Sequence, residues 1–352
     1  MIDTKPTTDS HVPTTSQAPV EANAMRSTLM KAIVQDSYGE PEAVLELQDI
    51  VRPVIKDDEV LVRVHAASLH VGDWILVRGV PYVARMAVGL RKPKNRVPGT
   101  DLAGTVEAVG KDVTQLRPGD EVFGWCTGAF AEYASAKADH VVAKPANLSF
   151  EKAAAVGVSA SSALQLLRDQ AKIQPGQKVL INGASGGLGT FAVQIAKAFA
   201  AEVTGVCSTS NVDMVRSIGA DHVIDYTKED FTQGSHRYDF ILDNVGNHSL
   251  SAMRRVLTQT GKLQTNNGTS GGRWFGTSGT MIKTMVLSKF VRQQAGPSIK
   301  FQNRQDLVAL KGLIEAGKVN PVIDGTYPLS ETGAAIGHLG KGHARGTVVV
   351  TV

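Results

Sequence analysis

The sequence Lys178-Val179-Leu180-Ile181-Asn182-Gly183-Ala184-Ser185-Gly186-Gly187-Leu188-Gly189 passes from a short apolar run into a cluster of glycines. The run carries β-branched side chains and follows Pro175-Gly176, as a buried parallel strand should. Gly183 suits a tight turn, Gly186 or Gly187 lets the backbone approach a pyrophosphate without a clashing Cβ, and Gly189 lets a helix pack close to the strand. Phe191, Val193, Ile195, Ala196 and Phe199 then fill a helix whose free N–H groups suit phosphate, and Val203 to Cys207 makes the next strand. A glycine triplet alone is a weak signal. With strand, helix and strand in the required places it reads as a dinucleotide site, with Asn182, Ser185 and Leu188 among its candidate contacts.

The end of the second strand separates the two nicotinamide cofactors, because an NAD site normally places Asp or Glu there for the ribose hydroxyls. Here the chain reads Cys207-Ser208-Thr209-Ser210-Asn211. Small hydroxyl groups leave room for a 2′-phosphate and do not repel it, so NADPH is expected, with Ser208 and Thr209 as contacts. Arg216 and Tyr226 are further phosphate candidates, Arg216 being equally readable as a solvated helix charge.

More motifs follow in order: Val97-Pro98-Gly99-Thr100-Asp101-Leu102-Ala103-Gly104, Arg117-Pro118-Gly119-Asp120-Glu121-Val122, Gly128-Ala129-Phe130-Ala131-Glu132-Tyr133, Gly219-Ala220-Asp221, Asp243-Asn244-Val245-Gly246 and Gly342-His343-Ala344-Arg345-Gly346. In these, from about Met30 to Val352, the chain resembles the zinc-independent members of the medium-chain dehydrogenase/reductase superfamily, on the quinone oxidoreductase side. The resemblance implies an α/β protein with a GroES-like β-rich substrate domain and a Rossmann doubly wound parallel sheet. It also implies cofactor contacts at Asn244 and Val245, and weaker ones at His343 and Arg345, because Thr347 stands where a lysine is common in relatives.

Composition agrees with two domains: 352 residues, 42% of them hydrophobic. The expected division is a disordered extension over 1–27, a substrate domain over 28–150 and 303–352, and a Rossmann domain over 151–302. A helix from Asp306 to Ala316, stopped by Gly317, returns the chain to the first domain. The net charge of +4 does not suggest nucleic acid, and the basic residues Arg85, Arg91, Lys92, Lys94 and Arg96 read as solvated surface. Two cysteines, Cys126 and Cys207, are too few for a disulfide framework or a zinc lobe. No apolar run spans a bilayer and no signal peptide precedes the first strand, so a cytoplasmic protein with no membrane partner is expected. The resemblance adds a homodimer.

Zinc-dependent relatives place a Cys after the strand holding Val60 to Val64, a Gly-His-Glu further on and a third ligand near the linker helix. This chain has His70, Gly99-Thr100-Asp101, and no Cys, Asp or Glu over Gly157 to Ser161. One candidate in three does not hold a catalytic metal, so none is expected. Without a Lewis acid, conjugation must supply the electron sink. The expected reaction is hydride transfer from NADPH to the activated C=C of an α,β-unsaturated carbonyl compound, or to a quinone, with a hydrophobic enone or quinone as substrate.

Such chemistry needs a hydrogen-bond donor for the developing oxyanion and a proton route. His70 is the leading candidate, because an imidazole can both donate a hydrogen bond and relay a proton. It replaces the first residue of an Asn-Pro pair usual in relatives, and its bland alternative is a histidine bonded to backbone. Tyr82 is a second candidate donor, or packing. Asp73 orients the loop or the nicotinamide ribose. Gln264, Asn266 and Asn267 stand where relatives continue with an apolar strand, and are candidates for the nicotinamide amide or the substrate. Val80, Tyr82, Val83, Met86, Val88 and Leu90, and again Trp274, Phe275, Met281, Ile282, Met285, Val286, Leu287 and Phe290, are read as packing or as walls for a bulky substrate. A metal-free carbonyl reductase and a non-catalytic NADPH-binding protein of the zeta-crystallin kind are the alternatives.

Overall fold

The structure is a computed structural model and describes residues 28–266, 294–297 and 302–352. The expectations for residues 1–27, for Asn267 and for the apolar segment from Trp274 to Phe290 lie outside the described residues.

The chain opens with β1 (Leu29–Gln35), β2 (Leu45–Val51) and β3 (Glu59–Leu69), followed by the helix Val71–Arg78. It continues through β4 (Asp101–Val109), β5 (Glu121–Trp125), β6 (Tyr133–Lys137) and β7 (Val141–Ala143). The helix Gly157–Gln165 then leads to β8 (Lys178–Asn182), the helix Gly187–Ala198, β9 (Glu202–Cys207), β10 (His222–Asp225), β11 (Tyr238–Asp243), β12 (Leu257–Thr265) and β13 (Gln294–Pro297). The helix Arg304–Glu315, β14 (Ile323–Pro328), the helix Thr332–Gly340 and β15 (Thr347–Thr351) complete it.

Strands β8 to β13 form one parallel sheet in the order β10-β9-β8-β11-β12-β13. The direction of winding reverses between β8 and β11, the crevice where dinucleotides bind in this topology. The run Val179 to Ile181 is fully buried, as a central parallel strand covered on both faces requires. A second sheet runs β14-β15-β3-β4-β5-β7, with β6 also on β3; its strands pair antiparallel except for β14 on β15. β1 and β2 form a separate antiparallel pair.

The two sheets share one apolar core. Phe123 and Trp125 from the mixed sheet, Leu164 and Leu167 from the intervening helices, and Val179, Ile181 and Phe191 from the parallel half belong to one buried cluster. The cleft between the sheets therefore has a packed floor.

Sequence boundaries were short by a few residues. β3 continues beyond Val64 to Leu69, where β15 pairs with it. The helix expected from Asp306 begins at Arg304, because the Asn303 side chain accepts the Asp306 N–H at 2.9 Å and caps it.

Candidate active site

A cleft of about 1340 Å³ lies at the carboxyl ends of β8 and β11. Its walls come from both sheets: Leu69, His70 and Trp74 on one side, Gly183, Ser185 and Asn244 on the other, and His343 and Arg345 from the loop before β15.

The glycine turn is built by close approach. A Cβ on Gly189 would lie 2.1 Å from the Gly183 carbonyl oxygen, so only glycine lets this helix start so near β8. Behind the turn, Asp243 Oδ1 accepts the N–H groups of Val245 (3.1 Å) and Gly246 (2.9 Å) and the Asn182 side-chain amide (2.9 Å). Asn182 is thus occupied in bracing the crevice. Asn244 accepts from the Asn266 amide at 3.1 Å, while its own Nδ2 is buried and has no partner among the described residues. A buried orphan donor in a cleft wall suits an acceptor on a bound molecule.

At the other end, Ser208, Ser210, Asn211, Tyr226 and Arg345 line the cleft. Arg345 Nε donates to Asn211 Oδ1 at 2.6 Å and its Nη2 to the Ser210 carbonyl. Asn211 Nδ2 donates onward to Ser208 Oγ (3.1 Å) and Ser185 Oγ (3.2 Å). Among the described residues no carboxylate pairs with Arg345, so its charge stands over this end of the groove. Asp225 on β10 is absent from the cleft wall. It accepts the Thr209 hydroxyl at 2.6 Å, which with the Thr227 hydroxyl and N–H holds its carboxyl below the usual range.

The catalytic candidates separate. His70 lines the cleft with Nε2 2.8 Å from Thr100 Oγ1. Its ring bonds to a side chain, whereas the bland reading had backbone. The backbone N–H of His70 donates to Asp73 Oδ2 at 2.8 Å, so Asp73, fully inside, caps the helix Val71–Arg78 and orients the loop. Burial raises the Asp73 carboxyl above its ordinary value, against the pull of the His70 charge and N–H.

Several expected residues stand elsewhere. Tyr82 does not line the cleft; Arg85 stacks on its ring at 4.8 Å. Arg216 lies outside it too, 3.5 Å from Asp213 on an exposed helix face. Thr209 is turned away to Asp225. Cys126 is buried, and burial with the Asp101 charge pushes its thiol far up, while burial pushes Cys207 to about 11. Neither is a ready nucleophile at neutral pH. Sequence reasoning passed over Trp125, Ser161 and Gln165, which line the cleft from β5 and the helix Gly157–Gln165. Their distance in sequence from the glycine turn gave no local signal.

The chain matches the family models for an alcohol dehydrogenase GroES-like domain over residues 56–146 and a zinc-binding dehydrogenase over 218–350. It is 33% identical to the mitochondrial NAD(P)H oxidoreductase RTN4IP1 of Mus musculus, covering 95% of this chain and 92% of that one. The chain belongs to the medium-chain dehydrogenase/reductase superfamily. This medium-chain oxidoreductase is also 32% identical to the chloroplastic NADPH-dependent alkenal/one oxidoreductase of Arabidopsis thaliana, over 94% of this chain and 82% of that one. Its fold matches the quinone oxidoreductase of Coxiella burnetii with a TM-score of 0.80, at 29% identity over 92% and 99% of the two chains.

The donors present suit the superfamily's NAD(P)H but not zinc. The orphan amide of Asn244, the free helix start at Gly187 and the unpaired charge of Arg345 match a carboxamide, a pyrophosphate and a further phosphate. At the cleft's other end, His70 faces a threonine hydroxyl, and among the described residues no three His, Cys, Asp or Glu side chains converge as metal ligands.

Proposed function

We propose that this medium-chain oxidoreductase uses NADPH to reduce the activated C=C of α,β-unsaturated carbonyl compounds, or quinones, without a metal. The carrying observation is the pairing of His70 with Thr100 in the cleft wall, where a Lewis acid would need ligands. A carbonyl oxygen there meets a hydrogen-bond donor instead of a metal. A conjugated acceptor suits that arrangement, because its own π system carries the electron pair to oxygen. The printed names of the Arabidopsis and Coxiella relatives point the same way.

NADPH supplies a hydride when bound. Of the residues that line the cleft, the Gly186–Gly189 turn is assigned to the pyrophosphate, Ser208, Ser210, Tyr226 and Arg345 to the 2′-phosphate, and Asn244 with Asn266 to the nicotinamide end. Among the described residues no carboxylate lines the cleft beside Ser208, which supports NADPH over NADH. Leu69, Val71, Trp74, Ile75 and Trp125 give the substrate end an apolar wall that excludes water. His70 then donates to the substrate oxygen and supplies a proton.

Cofactor oxidation against enones, enals, simple ketones and quinones, with products identified, tests this reading. An allylic alcohol from an enone would move the assignment to carbonyl reduction.

A further inference from the structure

We propose that the Trp74 face opposite Arg78 is a stacking platform, which makes flat, ring-conjugated acceptors, quinones and aryl enones, the preferred substrates over aliphatic enals. The inference rests on the reductase reading above and names the substrate class of the same cleft.

Trp74 stands in the helix Val71–Arg78, which His70 caps. Residues four apart lie on one side of a helix with about 6 Å between their Cβ atoms, and both His70 and Trp74 line the cleft. A conjugated ring spans that separation. A flat molecule whose oxygen meets His70 therefore brings its ring to the indole.

The indole is held on two sides. The Arg78 guanidinium lies over one face, 4.6 Å from the ring centre, and Glu40 Oε1 fixes Arg78 by accepting from its Nε at 3.1 Å and its Nη2 at 2.8 Å. The second restraint is Gly340, the last residue of the helix Thr332–Gly340. A Cβ there would fall 2.1 Å from Trp74 Nε1, 2.5 Å from Cδ1 and 2.9 Å from Cε2, so glycine lets the pyrrole edge rest on the helix backbone. The cleft reaches this contact, because Leu339 and Gly340 line it together with Trp74.

These restraints exceed what an apolar wall needs. Leu69, Val71 and Ile75 already give the cleft aliphatic surface, which accepts any apolar shape. A ring fixed at one edge and one face offers a single plane. Aromatic groups gain from offset stacking beyond the area they bury, and an electron-rich indole suits an electron-poor quinone or aryl enone. The ring is ordered before the ligand arrives, so little rotamer freedom is lost on stacking. An aliphatic enal has no ring to place there and gains contact area alone.

The test compares kcat/KM for naphthoquinone with that for hexenal, using the full chain and saturating NADPH, in wild type, Trp74→Leu, Trp74→Phe, Gly340→Ala and Arg78→Gln. Wild type is expected to favour naphthoquinone. The ratio of the two falls roughly tenfold in Trp74→Leu, the upper end of what an aromatic pair contributes, and Trp74→Phe restores most of it. Gly340→Ala keeps a helical residue and drives its methyl into the indole, so it lowers the ratio as well and tests the platform even where Trp74→Leu does not fold. Arg78 acts through Trp74 as a positioning residue; Arg78→Gln raises KM for naphthoquinone a few-fold and moves kcat less. A plain steric wall predicts the opposite sign, because leucine opens room for the larger acceptor. A ratio that rises or stays level in Trp74→Leu and Gly340→Ala, or a wild type that prefers hexenal, overturns the proposal and leaves the reductase reading intact. Wild type inert toward every enal, enone and quinone would remove the reductase reading, and with it the proposal.

Discussion

The Gly346 N–H donates to the Ser185 carbonyl at 2.8 Å, joining the loop before β15 to the glycine turn. Gly346 also bridges Gly186 in parallel. The residue before it, Arg345, is thereby carried from the mixed sheet to the Ser208–Asn211 end of a groove built by the parallel one. Arg345→Ala is expected to weaken NADPH binding by roughly ten- to a hundredfold, the worth of a charged hydrogen bond or two. NADH binding should change little. Fluorescence titration with both cofactors checks this, and equal losses for the two would mean that Arg345 only braces the loop.

Ser208→Asp places a carboxylate at the end of β9, where the described cleft wall has none. The expected result is an inverted preference: NADPH affinity lower by roughly tenfold or more and NADH affinity equal or better. The ratio of kcat/KM for the two cofactors measures it.

Gly189→Ala puts a methyl 2.1 Å from the Gly183 carbonyl oxygen and 2.9 Å from the Ala184 backbone, neither of which can swing aside. Helix and strand must part, at a cost of about 1–3 kcal/mol in stability, with loss of cofactor binding. Urea unfolding and cofactor titration give the two numbers.

Asp101, buried at the start of β4, predicts how stability follows pH. Its carboxyl is raised in the folded protein from 3.8 to about 7, so between those values the folded state keeps a proton that the unfolded chain releases. Its contribution is full below about pH 4, is lost as pH climbs to about 7 and is level beyond. Urea midpoints of wild type measured against Asp101→Asn should show this fall, on the order of a few kcal/mol. A difference that is flat between pH 4 and 7 would contradict a raised Asp101.

The sequence was most legible where backbone chemistry is local. The turn from Asn182 to Gly189, the buried strand before it and the absence of an acid at Ser208 are all read within thirty residues. They led to a doubly wound parallel sheet and to an NAD(P)H site, while the superfamily came from the ordered motifs spread between Val97 and Gly346. His70 was reachable as well, because it departs from a two-residue pattern. What could not be read is what depends on meetings across the fold. Nothing near Thr209 says that Asp225, on the next strand, takes its hydroxyl. Nothing near Tyr82 says that Arg85 covers its ring outside the cleft. Asp101 sits in a quoted motif, yet its significance arises only when Gly157, half a hundred residues later, leaves room for it at a helix start.

The most direct measurement is product identification from an enone such as a simple cyclohexenone, with NADPH or NADH as reductant and EDTA present throughout. The account predicts the saturated ketone, faster turnover with NADPH and no loss of rate on chelation. An allylic alcohol, a preference for NADH, or activity abolished by EDTA and restored by zinc would contradict it.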